Sequence, residues 1–267
     1  MTHVSDDLVP SLLNIIQVSG KIVLSYYGKS KKTIKLKSDD SPITEADIKS
    51  NEYICGKLSQ EFPNIPIISE EDSKLLNMRN NDFFFLVDPL DGTKEFINQT
   101  DEFTVNIALI KNQTPIIGVI NVPSKEQLYW TNGKKSFSKY KNNEKKIIKT
   151  KKFDQKNLCA EASKSHFDSK TLKFMKTLDV KKITRSGSSL KLCNIASGKS
   201  NIYPRFGNTM EWDIAAGHAI LSNSGGQIFD EKGKILKYSK EGFKNKSFIA
   251  LSQGQIPHSM LEIIQKL

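Results

Sequence analysis

The chain is poor in residues that announce several common chemistries. Its 267 residues hold three cysteines, Cys55, Cys159 and Cys193, far apart and odd in number. They form neither a disulfide framework nor a zinc spacing, and they point to a reducing compartment with structural thiols. Four histidines, His3, His166, His218 and His258, make no zinc pair on one helix face and no evident catalytic triad. The G-x-x-x-x-G-K-S/T nucleotide loop is absent. No apolar run approaches the roughly 18 residues of a membrane helix. Residues 1–9 show neither a basic head nor an apolar core, so no secretory signal is expected. Internal repeats and low-complexity domains are also missing.

What is present is a composition that supports a full core: 37% hydrophobic and 26% charged residues. That suits one large domain or two closely joined lobes. The net charge is +11, supplied largely by lysine-rich stretches at 29–37, 134–152 and 232–246. These stretches lack the regular aromatic interleaving of a nucleic-acid surface, so a solvated lysine coat is the better reading. No nucleic-acid partner is expected. The positive field still favours small polyanions.

Helical and strand patterns alternate along the chain. Ser5, with Asp6 and Asp7 in the first turn, caps an amphipathic helix that Gly28 ends. Thr44 and Asp47 open a second helix in the manner of a capping box. Short strands are expected at 65–68 and 83–87, then at 103–111, 116–121, 129–130 and 134–138. The polar stretch 139–152 is expected to separate sub-lobes of about 1–150 and 151–267 within a single domain. The second sub-lobe alternates strands and helices, as an α/β sheet requires.

Carboxylates at element ends carry the chemistry. The apolar run Phe83 to Val87 stops at Asp88-Pro89-Leu90-Asp91-Gly92-Thr93. Two acids with the Leu90 carbonyl between them, on one tight turn, suit a hard cation such as Mg²⁺. Gly92, Thr93 and Lys94 open a helix behind them, whose free N–H groups favour phosphate. Glu70 closes another short strand, and Asp213 opens an Ala-rich helix. Glu70, Asp88, Asp91 and Asp213 brought together repel one another unless they share cations, and such a cluster suits in-line phosphoryl transfer.

Asp88-Pro89-Leu90-Asp91-Gly92-Thr93, with Glu211-Trp212-Asp213-Ile214-Ala215-Ala216-Gly217, resembles the two signatures of the inositol monophosphatase superfamily. These are Mg²⁺-dependent, lithium-sensitive phosphatases with a layered αβαβα fold: an α+β N-terminal lobe and an α/β C-terminal lobe. Lys94-Glu95-Phe96-Ile97, residues 103–110, Ser186-Gly187-Ser188-Ser189-Leu190-Lys191 and Tyr203-Pro204-Arg205-Phe206-Gly207 resemble its CysQ-type 3′(2′),5′-bisphosphate nucleotidases. The resemblance implies hydrolysis of adenosine 3′,5′-bisphosphate to AMP and phosphate, in sulfur metabolism. It implies two or three Mg²⁺ ions held by Glu70, Asp88, the Leu90 carbonyl, Asp91 and Asp213. Thr93 and Asp47 match the pair that polarises the attacking water, and Glu70 shares that work. Gly92 and Thr93 match the phosphate cradle, and Asp213 lies against the substrate as well as the metal. Ser188, Lys191, Arg205 and His166 match positions that hold the nucleotide. Glu211 matches an acid that meets a sugar hydroxyl in inositol-cleaving relatives, so an inositol or sugar monophosphatase is the alternative. A nucleotide- or metal-binding sensor is the non-enzymatic one. The implied location is cytoplasmic, with peripheral contact to the inner membrane's cytoplasmic face left open.

Overall fold

The computed structural model describes residues 8–29, 35–36, 42–72, 83–165 and 167–266. The cap expected at Ser5 and the nucleotide contact expected of His166 lie outside the described residues. Helix α1 (Leu8–Tyr26) buries Leu8, Leu12, Ile15, Ile16 and Val23 along one stripe. Strands β1 (Lys35–Leu36) and β2 (Pro42–Ile43) pair as a small ribbon. Helix α2 (Glu45–Glu61) begins where expected: the Thr44 N–H donates to the Asp47 carboxylate at 2.7 Å.

A seven-stranded sheet follows: β3 (Ile67–Ser69), β4 (Phe83–Asp91), β5 (Thr104–Lys111), β6 (Thr114–Val122), β7 (Gln127–Thr131), β8 (Ser136–Tyr140) and β9 (Lys146–Ile148). Spatial order equals chain order, and only the β3–β4 pair is parallel. The short helix α3 (Thr93–Ile97) lies between β4 and β5. Within the polar stretch 139–152, residues 146–148 form β9, the last edge strand of this sheet.

The second half runs β10 (Cys159–Ser163), α4 (Ser169–Thr177), β11 (Lys182–Ser186), α5 (Leu190–Ala196), β12 (Ile202–Arg205), β13 (Thr209–Met210), α6 (Glu211–Ser222), β14 (Gln227–Asp230), β15 (Lys244–Asn245), β16 (Phe248–Leu251) and α7 (His258–Gln265). Its five-stranded sheet has the order β11-β10-β12-β16-β14 and is mixed. Strands β13 and β15 pair apart from it and have no signal in the sequence.

Three apolar clusters define the layers. One joins α1 and α2 to one face of the large sheet through residues such as Leu12, Ile54, Phe85 and Val105. A central cluster joins the sheet's other face to α5, α6 and the small sheet, through Phe84, Leu86, Leu192, Trp212, Ala216 and Phe248. The third packs α4 and α7 on the outer face of the small sheet, through Phe174, Met175, Met260 and Ile264. The result is the αβαβα sandwich expected. The Ala and Gly residues of α6 are buried because this helix runs between two sheets. By length and composition α1 is apolar enough to cross a membrane, which the residue runs did not reveal. Its apolar stripe faces protein, each side chain of Leu or Ile size contributing about 1.5–3 kcal/mol by burial.

Candidate active site

The β4–α3 turn is built by a bulge. Asp88 pairs with Asn106 and Asp91 with Thr104, so three steps on β4 match two on β5. One extra residue re-aims the strand, because residues three apart on a regular strand lie on opposite faces. The buried Asp88 accepts from the Leu90 N–H at 3.2 Å. The parallel β3 delivers Glu70 beside it: the Glu70 N–H donates to the Val87 carbonyl at 3.1 Å. Gly92 takes a left-handed conformation (φ 88°) that a larger residue adopts only with strain, and it starts α3. That helix has five residues, shorter than the phosphate-binding helix expected there.

Asp91 is held from three sides. Its Oδ2 accepts from Ser189 Oγ at 2.9 Å, Asn106 Nδ2 at 3.3 Å and Thr104 Oγ1 at 3.4 Å. Thr104 and Asn106 alternate along β5 and so share its face. Ser189 lies 2.8 Å from the Asp213 carbonyl as well, which ties α5 to the start of α6. At that start, the Met210 N–H donates to Asp213 Oδ2 at 2.8 Å. These donors orient both acids without neutralising them.

Behind the turn, Asp47 is buried at 2% exposure. One of its oxygens takes the α2 cap, and the other accepts from Thr93 Oγ1 at 3.2 Å. Thr93 Oγ1 also lies 3.2 Å from the Leu90 carbonyl. Its single hydrogen is therefore directed to protein acceptors, which leaves its lone pairs to accept from another molecule.

Glu70, Asp91, Thr93 and Asp213 line one cavity of about 350 Å³, and Lys191 and Arg205 line it too. Its two ends are electrostatically opposite. Burial pushes Asp91 up to about 6 against the pull of Lys191, and the charge of Glu70 adds to the rise. Burial, then Asp91 and Glu70, push Asp213 well above the carboxylate range. At the other end burial lowers Lys191; Asp91 opposes this, Arg205 adds to it, and Glu95 and Glu161 oppose it further. Lys191 Nζ donates to the Ser188 carbonyl at 2.5 Å and the Ser186 carbonyl at 3.2 Å, over the Tyr203 ring. Arg205 Nη2 donates to the Asn208 carbonyl at 3.2 Å.

The fold thus brings Glu70, Asp91, Gly92, Thr93, Ser188, Lys191, Arg205 and Asp213 to one cavity, with Asp88 and Asp47 supporting the turn from behind. Glu211 differs from its expected sugar contact. It is fully buried and does not line the cavity. Its carboxylate accepts from the Ser239 and Lys240 N–H groups at 2.9 Å each and pairs with Lys240 Nζ at 2.7 Å. Sequence reasoning missed Thr104, Asn106, Ser189 and Glu95. For the first two the signal was present, as polar residues alternating in a strand that is otherwise apolar. Among the described residues no three acids, histidines or cysteines close into a ready-made metal cage. The acids line a wall, all with oxygen donors. Burial, with the neighbouring acids, raises the proton affinity of Asp91 and Asp213, and an all-oxygen donor set of this kind fits hard divalent cations.

A layered sandwich with acids from both halves meeting fixed cations in one cleft defines a sugar-phosphatase type of architecture. The chain belongs to the inositol monophosphatase family, whose sequence model matches residues 7–266. It is 37% identical over 244 residues to a protein of Salmonella typhimurium named 3′(2′),5′-bisphosphate nucleotidase CysQ, covering 90% of this chain and 98% of that one. A CysQ of Buchnera aphidicola is 38% identical over 248 residues, covering 91% and 93%. Among solved structures, CysQ from Bacteroides thetaiotaomicron superposes with a TM-score of 0.77 at 34% identity, covering 91% of this chain and 96% of that one. An inositol monophosphatase of Thermotoga maritima shares the fold, with a TM-score of 0.80 at 22% identity over 97% of both chains.

Proposed function

We propose that this chain is a Mg²⁺-dependent 3′(2′),5′-bisphosphate nucleotidase that releases the 3′-phosphate of adenosine 3′,5′-bisphosphate. The observation that carries the reading is the cavity's polarity: Glu70, Asp91 and Asp213 line one end, and the buried cations Lys191 and Arg205 line the other. A cation-bound phosphate group with a second phosphate a sugar's width away suits both ends at once. The relatives named above support the same substrate class.

Glu70, Asp88, the Leu90 carbonyl, Asp91 and Asp213 would hold the Mg²⁺, as two or three ions. When bound there, Mg²⁺ supplies Lewis-acid activation of water and neutralisation of the leaving oxygen. Asp47 fixes the Thr93 hydroxyl so that its oxygen accepts from the attacking water, and Glu70 orients that water from the other side. Gly92 lets the backbone approach the phosphate closely. Arg205 suits two-pronged contact with the second phosphate, Lys191 adds a point charge, and Ser188 lies at the same end. Cytoplasmic residence belongs to the same proposal. Peripheral membrane contact through the lysine surface is left outside it.

The test is a substrate panel with Mg²⁺, with and without lithium. The expected result is a higher kcat/KM for adenosine 3′,5′-bisphosphate than for inositol 1-phosphate, with inhibition by lithium. A preference for inositol 1-phosphate sinks the proposed specificity, and binding without phosphate release leaves a sensor.

A further inference from the structure

Two acids outside the metal turn reach across the cleft. Glu95 lies in α3 and lines the cavity, with its carboxylate accepting from Ser165 Oγ. Glu102, in the loop before β5, accepts from the Gly187 N–H at 2.9 Å and pairs with Lys164 Nζ at 3.4 Å. Both acids follow the metal turn in the chain. Among the described residues, the hydrogen-bond partners of their side chains lie in the second half: Lys164 and Ser165 after β10, and Gly187 between β11 and α5. Ser163, Ser165, Gly187 and Ser188 all line the cavity. Gly187 sits hard against this bridge. A Cβ placed on it falls 2.6 Å from the Glu102 carbonyl and 2.9 Å from Glu95 Cγ.

We infer that Glu102, assisted by Glu95, is a positioning residue that clamps the second-half loops to the metal turn and so sets the spacing between the scissile phosphate and the cationic subsite. The inference rests on the nucleotidase reading. The Glu102 bond to Gly187 fixes the turn whose Ser186 and Ser188 carbonyls hold Lys191. Its bond to Lys164 fixes the other rim. A rigid bisphosphate requires both ends in register, and a misplacement of a fraction of an ångström is felt in binding. The metal turn shares Ser189 with the second half, but it keeps first-half supports in Asp47, Thr104 and Asn106 when the clamp is cut.

The experiment compares wild type with Glu102→Ala, Glu102→Gln, Lys164→Ala and Gly187→Ala. It reads KM and kcat on adenosine 3′,5′-bisphosphate, AMP affinity by calorimetry, and the rise in Tm caused by Mg²⁺ alone. Glu102→Ala should raise KM and the AMP Kd about tenfold, the loss of one charge-assisted bond, with kcat within about twofold. Glu102→Gln, which keeps an acceptor for Gly187, should recover most of that. Gly187→Ala should reproduce the Glu102→Ala pattern by wedging the loops apart, and Lys164→Ala should show a smaller rise. The Mg²⁺-induced shift should stay at the wild-type value in the Glu102 and Lys164 variants. Unchanged AMP affinity in Glu102→Ala and Gly187→Ala overturns the clamp. A parallel loss of the Mg²⁺ shift also overturns it, because a general disturbance would do that. A wild-type protein that neither splits the bisphosphate nor binds AMP overturns the nucleotidase reading instead.

Discussion

The two ends of the cavity were assembled in different ways. The acidic end comes mostly from one continuous strand–turn–helix segment, with Glu70 beside it by sheet register and only Asp213 brought from afar. The cationic end comes from α5 and β12, whose side chains are held by backbone carbonyls at Ser186, Ser188 and Asn208. At the acidic end, Asp91 and Asp213 are oriented by hydroxyl, amide and backbone N–H donors. The cations are also crowded, since Arg205 works against Lys191. Each end gathers buried groups of one charge, and the two ends act on each other through Asp91 and Lys191. The lesson is that a site for a ligand carrying both a bound cation and an anion can be read as two linked regions of opposite sign.

The largest effect should come from the acidic end. Asp91→Asn keeps the shape of the turn but removes a charge from its centre, and kcat/KM should fall about 10³-fold, ~4 kcal/mol of transition-state stabilisation. The metal-free Tm should hold or rise, because a buried like charge is gone. Near-wild-type phosphate release would remove the acidic half of the comparison.

At the cationic end, Arg205→Ala should act on binding. KM for the bisphosphate should rise roughly 10- to 100-fold, the loss of a hydrogen-bonded charge, with a smaller change in kcat. Equal effects of the two substitutions on kcat would erase the distinction between the ends.

Acidity should sharpen the contrast. The folded pKa of Asp91 is raised from 3.8 to about 6, and Asp213 moves the same way. Stability from the protonated forms is fully present below about pH 4 and is lost as pH rises through about 6. Metal-free protein should therefore lose this contribution between about pH 4 and 7. Mg²⁺ should raise Tm more at pH 8 than at pH 5, where protons compete for the same oxygens. Equal Mg²⁺ shifts at both pH values would contradict this.

The last prediction is a control remote from the cleft, expected to have the smallest effect on activity. His218 is buried between the Tyr238 hydroxyl, 3.0 Å away, and Gln227. Burial lowers its pKa from 6.5 to about 4, so its contribution is full above pH 6.5 and is lost as pH falls through that range. The loss approaches about 3 kcal/mol near pH 4. His218→Gln should flatten that part of the profile in denaturant titrations, leaving the Mg²⁺ dependence alone. An unchanged acid profile would rule out His218 as its source.

Much of this was legible along the chain. The run Phe83 to Val87 ending at Asp88 located the turn, because an apolar strand that stops at two acids has few other uses. The Thr44–Asp47 cap was legible because it is local. Glu211 was misread for the same reason: its neighbours in the chain suggest a site acid, while its partners Ser239 and Lys240 lie nearly thirty residues on. Ser189 and Glu102 were invisible, since a serine and a loop acid carry no signal until their partners are known.

The sequence by itself determined the types of the main helices and strands, the position of the acidic turn and the residue kinds able to serve divalent cations and phosphate. These follow from periodicity and from chemistry within a few residues. Only the tertiary structure decided which acids share a cavity, where Glu211 spends its charge, and how Glu102 joins the two halves. Those outcomes depend on contacts between distant segments, fixed by the two sheets closing on α5 and α6 around one apolar core.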